Sequence, residues 1–177
     1  MVARGLFIFL FVSFFSGCGG GGSSSGGGAN IPPAPAFSVG RYGGTQTLTL
    51  SFPSRPDIAP DTQAVGFVAE VSSNSIRILD ADLTNSTSSL DAAGNFGIPG
   101  AELTLTLDDG TLCMGRLAFN GRVTGTSLTG NIVGSINCAG VTLSIDGSFI
   151  ATLGAPAGKF SGSGLLETVL EYLDRAW

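Results

Sequence analysis

The chain of 177 residues contains no histidine, and its single lysine is Lys159. Without an imidazole, the Ser-His-Asp and Cys-His arrangements of nucleophilic hydrolases are excluded. A serine–lysine pair would have to combine Lys159 with Ser161 or Ser163, in a Gly-rich stretch typical of a linker. Charged residues are also scarce, at 12% of the chain, and the net charge is −5. Because this charge repels a polyanion, nucleic-acid binding is disfavoured.

Patterns that bind metals or perform acid–base catalysis are equally sparse. The segment Asp80-Ala-Asp82-Leu-Thr-Asn85 alternates oxygen ligands, but it lacks the glycine and the distant glutamate of an EF-hand loop. Two carboxylates could form a glycosidase pair, yet no spacing singles out two of the candidates Glu70, Asp80, Asp82 and Glu102. The sequence therefore predicts no catalytic residue, no metal and no cofactor. A glycan-active hydrolase is the distant alternative.

The one long hydrophobic run lies at the N-terminus. Arg4 precedes ten mostly apolar residues, 6–15, of sequence LFIFLFVSFF. A basic residue followed by such a run and small residues is typical of a secretory signal peptide. A transmembrane helix needs about 20 apolar residues, roughly twice this length. We therefore expect residues 1–17 to be a signal peptide.

The residues after the apolar run indicate how the protein is attached to a membrane. Phe15-Ser16-Gly17-Cys18 resembles the lipobox of bacterial lipoproteins, in which the cysteine becomes the first mature residue and carries lipid on its thiol and amine. Phe15 departs from the pattern, because the family usually has an aliphatic residue there. The resemblance implies lipidation of Cys18, and several acyl chains make such an anchor stable. It also implies sorting to the outer membrane, at its periplasmic or surface face, because Gly19 and not Asp follows the cysteine.

The chain then divides into a tether and a folded domain. Residues 18–44 are rich in glycine, serine and proline. A Gly/Ser coil has an r.m.s. length of about 5–6 Å × √n, so residues 19–44 would span roughly 25–30 Å. Residues 45–177 are predicted to form a single β-domain with a C-terminal helix.

Cysteine usage agrees with an exported protein. Three cysteines are present, and exported proteins normally pair their thiols. If Cys18 carries lipid, Cys113 and Cys138 remain as one disulfide pair, and two buried free thiols are the alternative. A bridge would close a loop of about 25 residues and contribute roughly 3–4 kcal/mol on the chain-entropy model.

Apolar residues alternate with polar ones from Thr45 onward, which is typical of β-strands with one buried face. The turn signals are Asp108-Asp109-Gly110, Asn120-Gly121 and Ala139-Gly140. A two-residue loop at Ala139-Gly140 places Cys138 opposite Val141 and Ile136 opposite Leu143, on one face. The predicted strands are roughly 45–52, 64–71, 75–84, 101–107, 111–119, 122–128, 131–138 and 141–153.

These strands predict an all-β fold, either an eight-stranded antiparallel up-and-down barrel or a two-sheet sandwich. In a barrel of this order the sixth strand separates Cys113 from Cys138 by about 9–10 Å. A short amphipathic helix is predicted from about Leu165. Its apolar stripe, expected to pack on the barrel, comprises Leu166, Val169, Leu170, Leu173 and Trp177.

A second resemblance involves residues 147–160, GSFIATLGAPAGKF. This segment is similar to a shortened segment of transferrin-binding-protein-like surface lipoproteins. The resemblance implies an eight-stranded barrel that binds a host protein or a haem compound. Leu153 departs from it, because an aromatic residue usually precedes that turn. A lipocalin-like carrier would share eight strands and a terminal helix, but its early Gly-x-Trp signature is absent, since Trp177 is the only tryptophan.

The predicted function is therefore a membrane-anchored, non-catalytic β-barrel that acts as a binding or structural module. Its partners would be the membrane, through the lipid anchor, and an unidentified protein or small apolar ligand. The alternative is a lipocalin-like carrier of a small apolar ligand in the barrel lumen. Inward Leu, Ile, Val and Phe residues suffice to fill a narrow barrel, which favours the non-carrier function.

Overall fold

A computed structural model describes residues 36–79, 83–157 and 165–174, with the side chain of Leu166 omitted. These residues form a curled antiparallel sheet of nine strands and one C-terminal helix, which confirms the predicted all-β class. The elements are β1 (Gly40–Ser51), β2 (Asp61–Val71), β3 (Ser75–Ile78), β4 (Leu83–Thr84), β5 (Thr87–Ser89), β6 (Asn95–Thr106), β7 (Leu112–Thr124), β8 (Ser127–Cys138), β9 (Val141–Leu153) and α1 (Leu165–Leu173).

Several predictions fall outside the described residues. They concern the signal peptide and most of the tether, together with the positions Cys18, Asp80, Asp82, Lys159, Ser161, Ser163 and Trp177. Among the helices that the structure describes, none is long and apolar enough to span a bilayer.

The strands follow one another around the sheet in the manner of an up-and-down barrel. The order is β4-β6-β7-β8-β9-β1-β2-β3-β5, and the first strand pairs with the last along most of its length. The short strands β4 and β5 stand at the two edges, and only residues 85 and 86 separate them in the chain. β4 pairs with β6 and β5 with β3, so residues 83–89 contact both edges of the curled sheet. The sheet therefore has nine strands where eight were predicted.

Two of the three predicted turns are confirmed. At Ala139-Gly140 both residues have positive φ, as a two-residue primed hairpin requires, and Cys138 lies opposite Val141 as predicted. The β6–β7 turn contains Gly110 at φ 85°, and the Asp109 carboxylate accepts a hydrogen bond from the Thr111 backbone N–H at 2.8 Å. That bond lowers the pKa of Asp109.

The predicted turn at Asn120-Gly121 is wrong, because β7 runs straight through it to Thr124. Gly121 serves close packing there: a Cβ on it would lie 2.9 Å from the Phe96 ring. The chain reverses instead at residues 125–126, where Gly125 has φ 55°. The predicted strands 111–119, 122–128 and 131–138 are therefore two strands, β7 and β8.

Other strand boundaries also differ from the prediction. β1 begins at Gly40, five residues before Thr45, and β6 begins at Asn95, six residues before the predicted start at residue 101. β6 accommodates Pro99 through a register shift between Ile98 and Ala101, because a proline cannot donate to a regular ladder. β3 ends at Ile78 and does not continue to residue 84.

Helix α1 packs where β1 turns into β2. The Tyr172 hydroxyl donates a hydrogen bond to the Ala59 carbonyl at 2.8 Å, and its ring stacks on Phe52 with centroids 5.0 Å apart. The buried side chains of the helix are Leu165, Thr168, Val169, Tyr172 and Leu173. Tyr172 is not part of the apolar stripe predicted from the sequence.

Candidate functional site

The interior of the curled sheet is the first place where a ligand could bind. It contains a cluster of four phenylalanines, in which three rings surround Phe149. The Phe67 ring stacks on Phe149 with centroids 4.5 Å apart, and Phe96 and Phe119 lie 6.3 and 6.5 Å from it. All four side chains are at most 7% exposed. This spacing is that of packed aromatic rings, so side chains occupy this part of the interior.

Glycines make room for these rings. Across the sheet, Phe96 lies opposite Gly121, Gly121 opposite Gly130, and Gly130 opposite Phe149. A Cβ on Gly130 would overlap the Phe149 ring and the carbonyl oxygen of Asn120. Large and small residues thus alternate across the interior, which is how small barrels fill their cores.

Polar groups inside the sheet are few. Gln46 faces inward between Val65 and Phe149 and is 3% exposed. Among the described residues, every fully enclosed side-chain nitrogen or oxygen has a hydrogen-bond partner. Small-molecule pockets usually present a few convergent polar groups to the ligand, and this part of the interior offers no enclosed group left unsatisfied.

The cysteines predicted to pair, Cys113 and Cys138, form a disulfide. They lie directly opposite each other on β7 and β8, with Cα atoms 4.4 Å apart, and both are fully buried. The separation expected from an intervening strand is wrong, because β7 and β8 are neighbours. The bridge therefore lies across the open end of the β7–β8 hairpin.

The outer face carries a shallow groove of about 420 Å³ over β6, β7 and β8. Arg116 and Glu102 form one wall, joined by an ion pair at 3.0 Å, and Met114 and Asn137 also line the groove. The Arg116 side chain is 75% exposed, and pairs this exposed contribute at most about 1 kcal/mol. Because water reaches these charges freely, the groove lacks the desolvated groups of a catalytic centre.

Glu70 is the second of the acidic candidates that lies in the described residues. It is on the outer face of β2, opposite Arg41 and Arg77 in the register. Glu102 lies on β6, where it is ion-paired with Arg116. Within the described ranges there is no group of three or more His, Cys, Asp or Glu residues that could hold a metal ion.

The chain enters the domain through a hydrogen-bonded site that the sequence does not reveal. The Ser38 N–H donates to the Gly125 carbonyl at 2.8 Å, and the Gly125 N–H donates to the Ala36 carbonyl at 3.0 Å. The Tyr42 hydroxyl donates to the Ser38 carbonyl at 2.7 Å and lies 3.2 Å from the Gly125 carbonyl oxygen. Burial raises the pKa of Tyr42. Phe37 and Tyr42, two aromatic residues in a Gly-rich stretch, are the only sequence signal of this site.

Comparison of the chain with family models, with curated proteins and with solved structures yields no match.

Proposed function

We propose that this protein is an extracytoplasmic lipoprotein, held to a membrane by lipid on Cys18, whose β-domain is a non-catalytic binding or structural module. The observation that carries the proposal is the buried phenylalanine cluster inside the sheet. Phe149 contacts Phe67 where a carrier would need space, and the facing glycines admit rings rather than a ligand. Partners therefore bind on the outer surface or at the ends of the sheet.

The disulfide supports a location of the protein outside the cytoplasm. Disulfides form and persist in oxidising compartments and are rare where glutathione keeps thiols reduced. Cys113 and Cys138 are paired and buried, so Cys18 is the one cysteine left for another use. The apolar leader and the lipobox-like Ser16-Gly17-Cys18 indicate that this use is lipidation, and Gly19 favours sorting to the outer membrane.

The entry site supports the tethering arrangement. Ala36 and Ser38 are bonded to Gly125 in the β7–β8 turn, so the tether predicted from composition would be shortened to residues 19–35. A flexible chain of this length has an r.m.s. span of roughly 20–25 Å. That span would keep the domain within reach of the lipid headgroups.

Metabolic labelling tests the anchor. Cells that express the full chain are grown with a clickable palmitate analogue, and the protein is isolated and examined for label. We expect label on the wild-type protein and none on Cys18→Ala, because Cys18 is the residue proposed to carry the lipid. Cys113→Ala is the matched control and should keep its label. An unlabelled wild-type protein, or label retained by Cys18→Ala, contradicts the proposal.

Native mass spectrometry of the protein purified from its host tests the filled interior. We expect the mass of the lipidated chain without an additional small molecule. A retained apolar adduct that is released on unfolding would favour the lipocalin-like carrier.

A further inference from the structure

The two ends of the sheet carry different charges. We call the end where β1 begins the tether end; it includes the β2–β3, β5–β6 and β7–β8 turns. The opposite end, called the loop end, includes residues 52–60, the β6–β7 turn and Ala139-Gly140. The C-terminal part of α1 belongs to the loop end, because Tyr172 bonds to Ala59. Strands of 11–13 residues place the two ends about 30 Å apart.

The tether end carries more arginine than acid among its described residues. Its exposed charged side chains are Arg41, Arg77 and Arg122, with Glu70 and Asp91. Arg41 and Arg77 share Glu70 as their cross-strand neighbour, so this row has two cations and one anion. Arg122 donates a hydrogen bond to the Ala93 carbonyl at 3.0 Å, which holds it beside the β5–β6 turn.

The loop end is strongly acidic. Arg55, paired with Asp57 at 2.9 Å, is its one cation among the described residues. The carboxylates described at this end are Asp57, Asp61, Asp108, Asp109, Glu171 and Asp174. Among the described residues, the charge therefore changes sign along the barrel axis.

We propose that the tether end is an electrostatic contact surface for an anionic lipid bilayer, and that the acidic loop end points away from it. The inference rests on the lipid anchor proposed above. The chain that leads to Cys18 leaves the domain at Ala36, within the tether end, so it departs from the end that carries the three arginines. An anionic leaflet attracts arginines near its surface and repels carboxylates there.

Screening makes the contact dependent on orientation. The Debye length at physiological ionic strength is about 8 Å, much shorter than the distance between the two ends. Only the end that lies against the leaflet feels the surface charge. Turning the domain over would replace three arginines and two carboxylates at the surface by one arginine and six carboxylates, among the described residues. This penalty adds to the geometric preference of the tether.

Two single-thiol variants of the lipidated full chain measure the orientation. Ser73→Cys places a thiol in the β2–β3 turn at the tether end, and Ser54→Cys places one at the loop end; both serines are exposed. Each thiol is labelled with a fluorophore, and the protein is reconstituted in phosphatidylethanolamine vesicles that contain phosphatidylglycerol. A spin-labelled headgroup lipid quenches the fluorophore that lies near the surface. We expect strong quenching at position 73 and weak quenching at position 54.

The electrostatic contribution is isolated by changing the charges. Each arginine near an anionic surface is expected to favour the bound orientation about fivefold. Arg41→Gln combined with Arg77→Gln should therefore reduce the ratio of the two quenching signals severalfold. Vesicles of phosphatidylcholine alone, or high salt, should do the same. Arg55→Gln combined with Arg116→Gln removes the same net charge away from the tether end and should leave the ratio unchanged or raised.

The outcomes separate this inference from the anchor itself. If position 73 is quenched equally in neutral and anionic vesicles and in both double variants, the tether alone sets the orientation and the inference is wrong. Stronger quenching at position 54 also overturns it. Failure of the host-processed protein to float with vesicles of either composition would instead contradict the proposed lipid anchor.

Discussion

At the scale of single residues, glycine has two different uses in this protein. Gly140 and Gly110 allow positive φ in turns, with open space around the position of a Cβ. Gly121 and Gly130 lie within strands, where a side chain would collide with a phenylalanine ring or a facing carbonyl. Because glycine serves both purposes, Asn120-Gly121 matches a turn motif in the sequence although it lies within a strand.

Gly130→Ala is expected to destabilise the domain by about 1–3 kcal/mol or more, because the core has no room for the methyl group. The free energy of unfolding from urea titration measures this cost. Gly100→Ala is the matched control, since its Cβ would lie 3.7 Å from the Arg116 side chain, an ordinary contact. The control should remain within about 0.5 kcal/mol of wild type. Equal stability of the two variants would show that the interior has spare volume.

Asp91 organises the β5–β6 turn. Its carboxylate accepts hydrogen bonds from the Asn95 side-chain amide, the Asn95 N–H and the Ala93 N–H, at 2.8–2.9 Å. These bonds, led by the Asn95 side chain and aided by the charge of Arg122, lower the pKa of Asp91. A lowered folded-state pKa stabilises the protein above the unfolded value of about 3.9 and loses that effect as pH falls through the folded value.

We therefore expect the Asp91 carboxyl carbon to titrate below about 3.9 in an NMR pH series. Asn95→Ala removes the largest cause and should move the midpoint upward. Asp91→Asn should be less stable than wild type at neutral pH, and the difference should shrink in acid. An unchanged midpoint in Asn95→Ala would contradict this account.

At the scale of secondary-structure elements, the β7–β8 hairpin determines the position of the disulfide. Its two strands pair from Thr124 opposite Ser127 to Cys113 opposite Cys138. Cα atoms at non-hydrogen-bonded antiparallel positions are about 4.5 Å apart, close to the 4.4 Å found here. The pairing of the thiols was predictable from the sequence, but their adjacency depended on β7 remaining one continuous strand.

Reduction of the Cys113–Cys138 bridge is expected to lower the free energy of unfolding by roughly 3–4 kcal/mol, because the loop it closes spans 25 residues. Urea titration with and without reductant measures the change, and Cys113→Ala with Cys138→Ala should reproduce it. The Cys18→Ala variant serves as the control and should respond to reductant like the wild type. Identical unfolding curves in oxidised and reduced protein would refute the expectation.

At the scale of the whole molecule, the decisive property is whether the curled sheet encloses a core or a cavity. The phenylalanine cluster, the alternation of large and small residues and the packing of α1 on Phe52 all favour a core. A domain of this kind presents its function on its surface, and the charge difference between its ends acts on the molecule as a whole.

Phe149→Ala tests the solid interior. Removing the ring should cost about 3–5 kcal/mol and leave an apolar cavity. Such cavities stay dry and bind benzene or xenon, so benzene should raise the melting temperature of the variant. Wild type, with no space to fill, should show no rise. A comparable rise in wild type would reveal a lumen that already accepts apolar ligands.

The sequence by itself determined the all-β class, the inward face of most strands, two turns and the cysteine pair. These follow from period-two alternation, local turn chemistry and residue counting, which need only near neighbours in the chain. The tertiary structure decided the length of β7, the early start of β1 and the role of Tyr42. These features depend on groups far apart in sequence. The Phe96 ring lies beside Gly121 in β7, and the Gly125 carbonyl lies beside the Tyr42 hydroxyl in β1. Close packing between distant strands selects among locally equivalent conformations. Local sequence patterns do not contain that information.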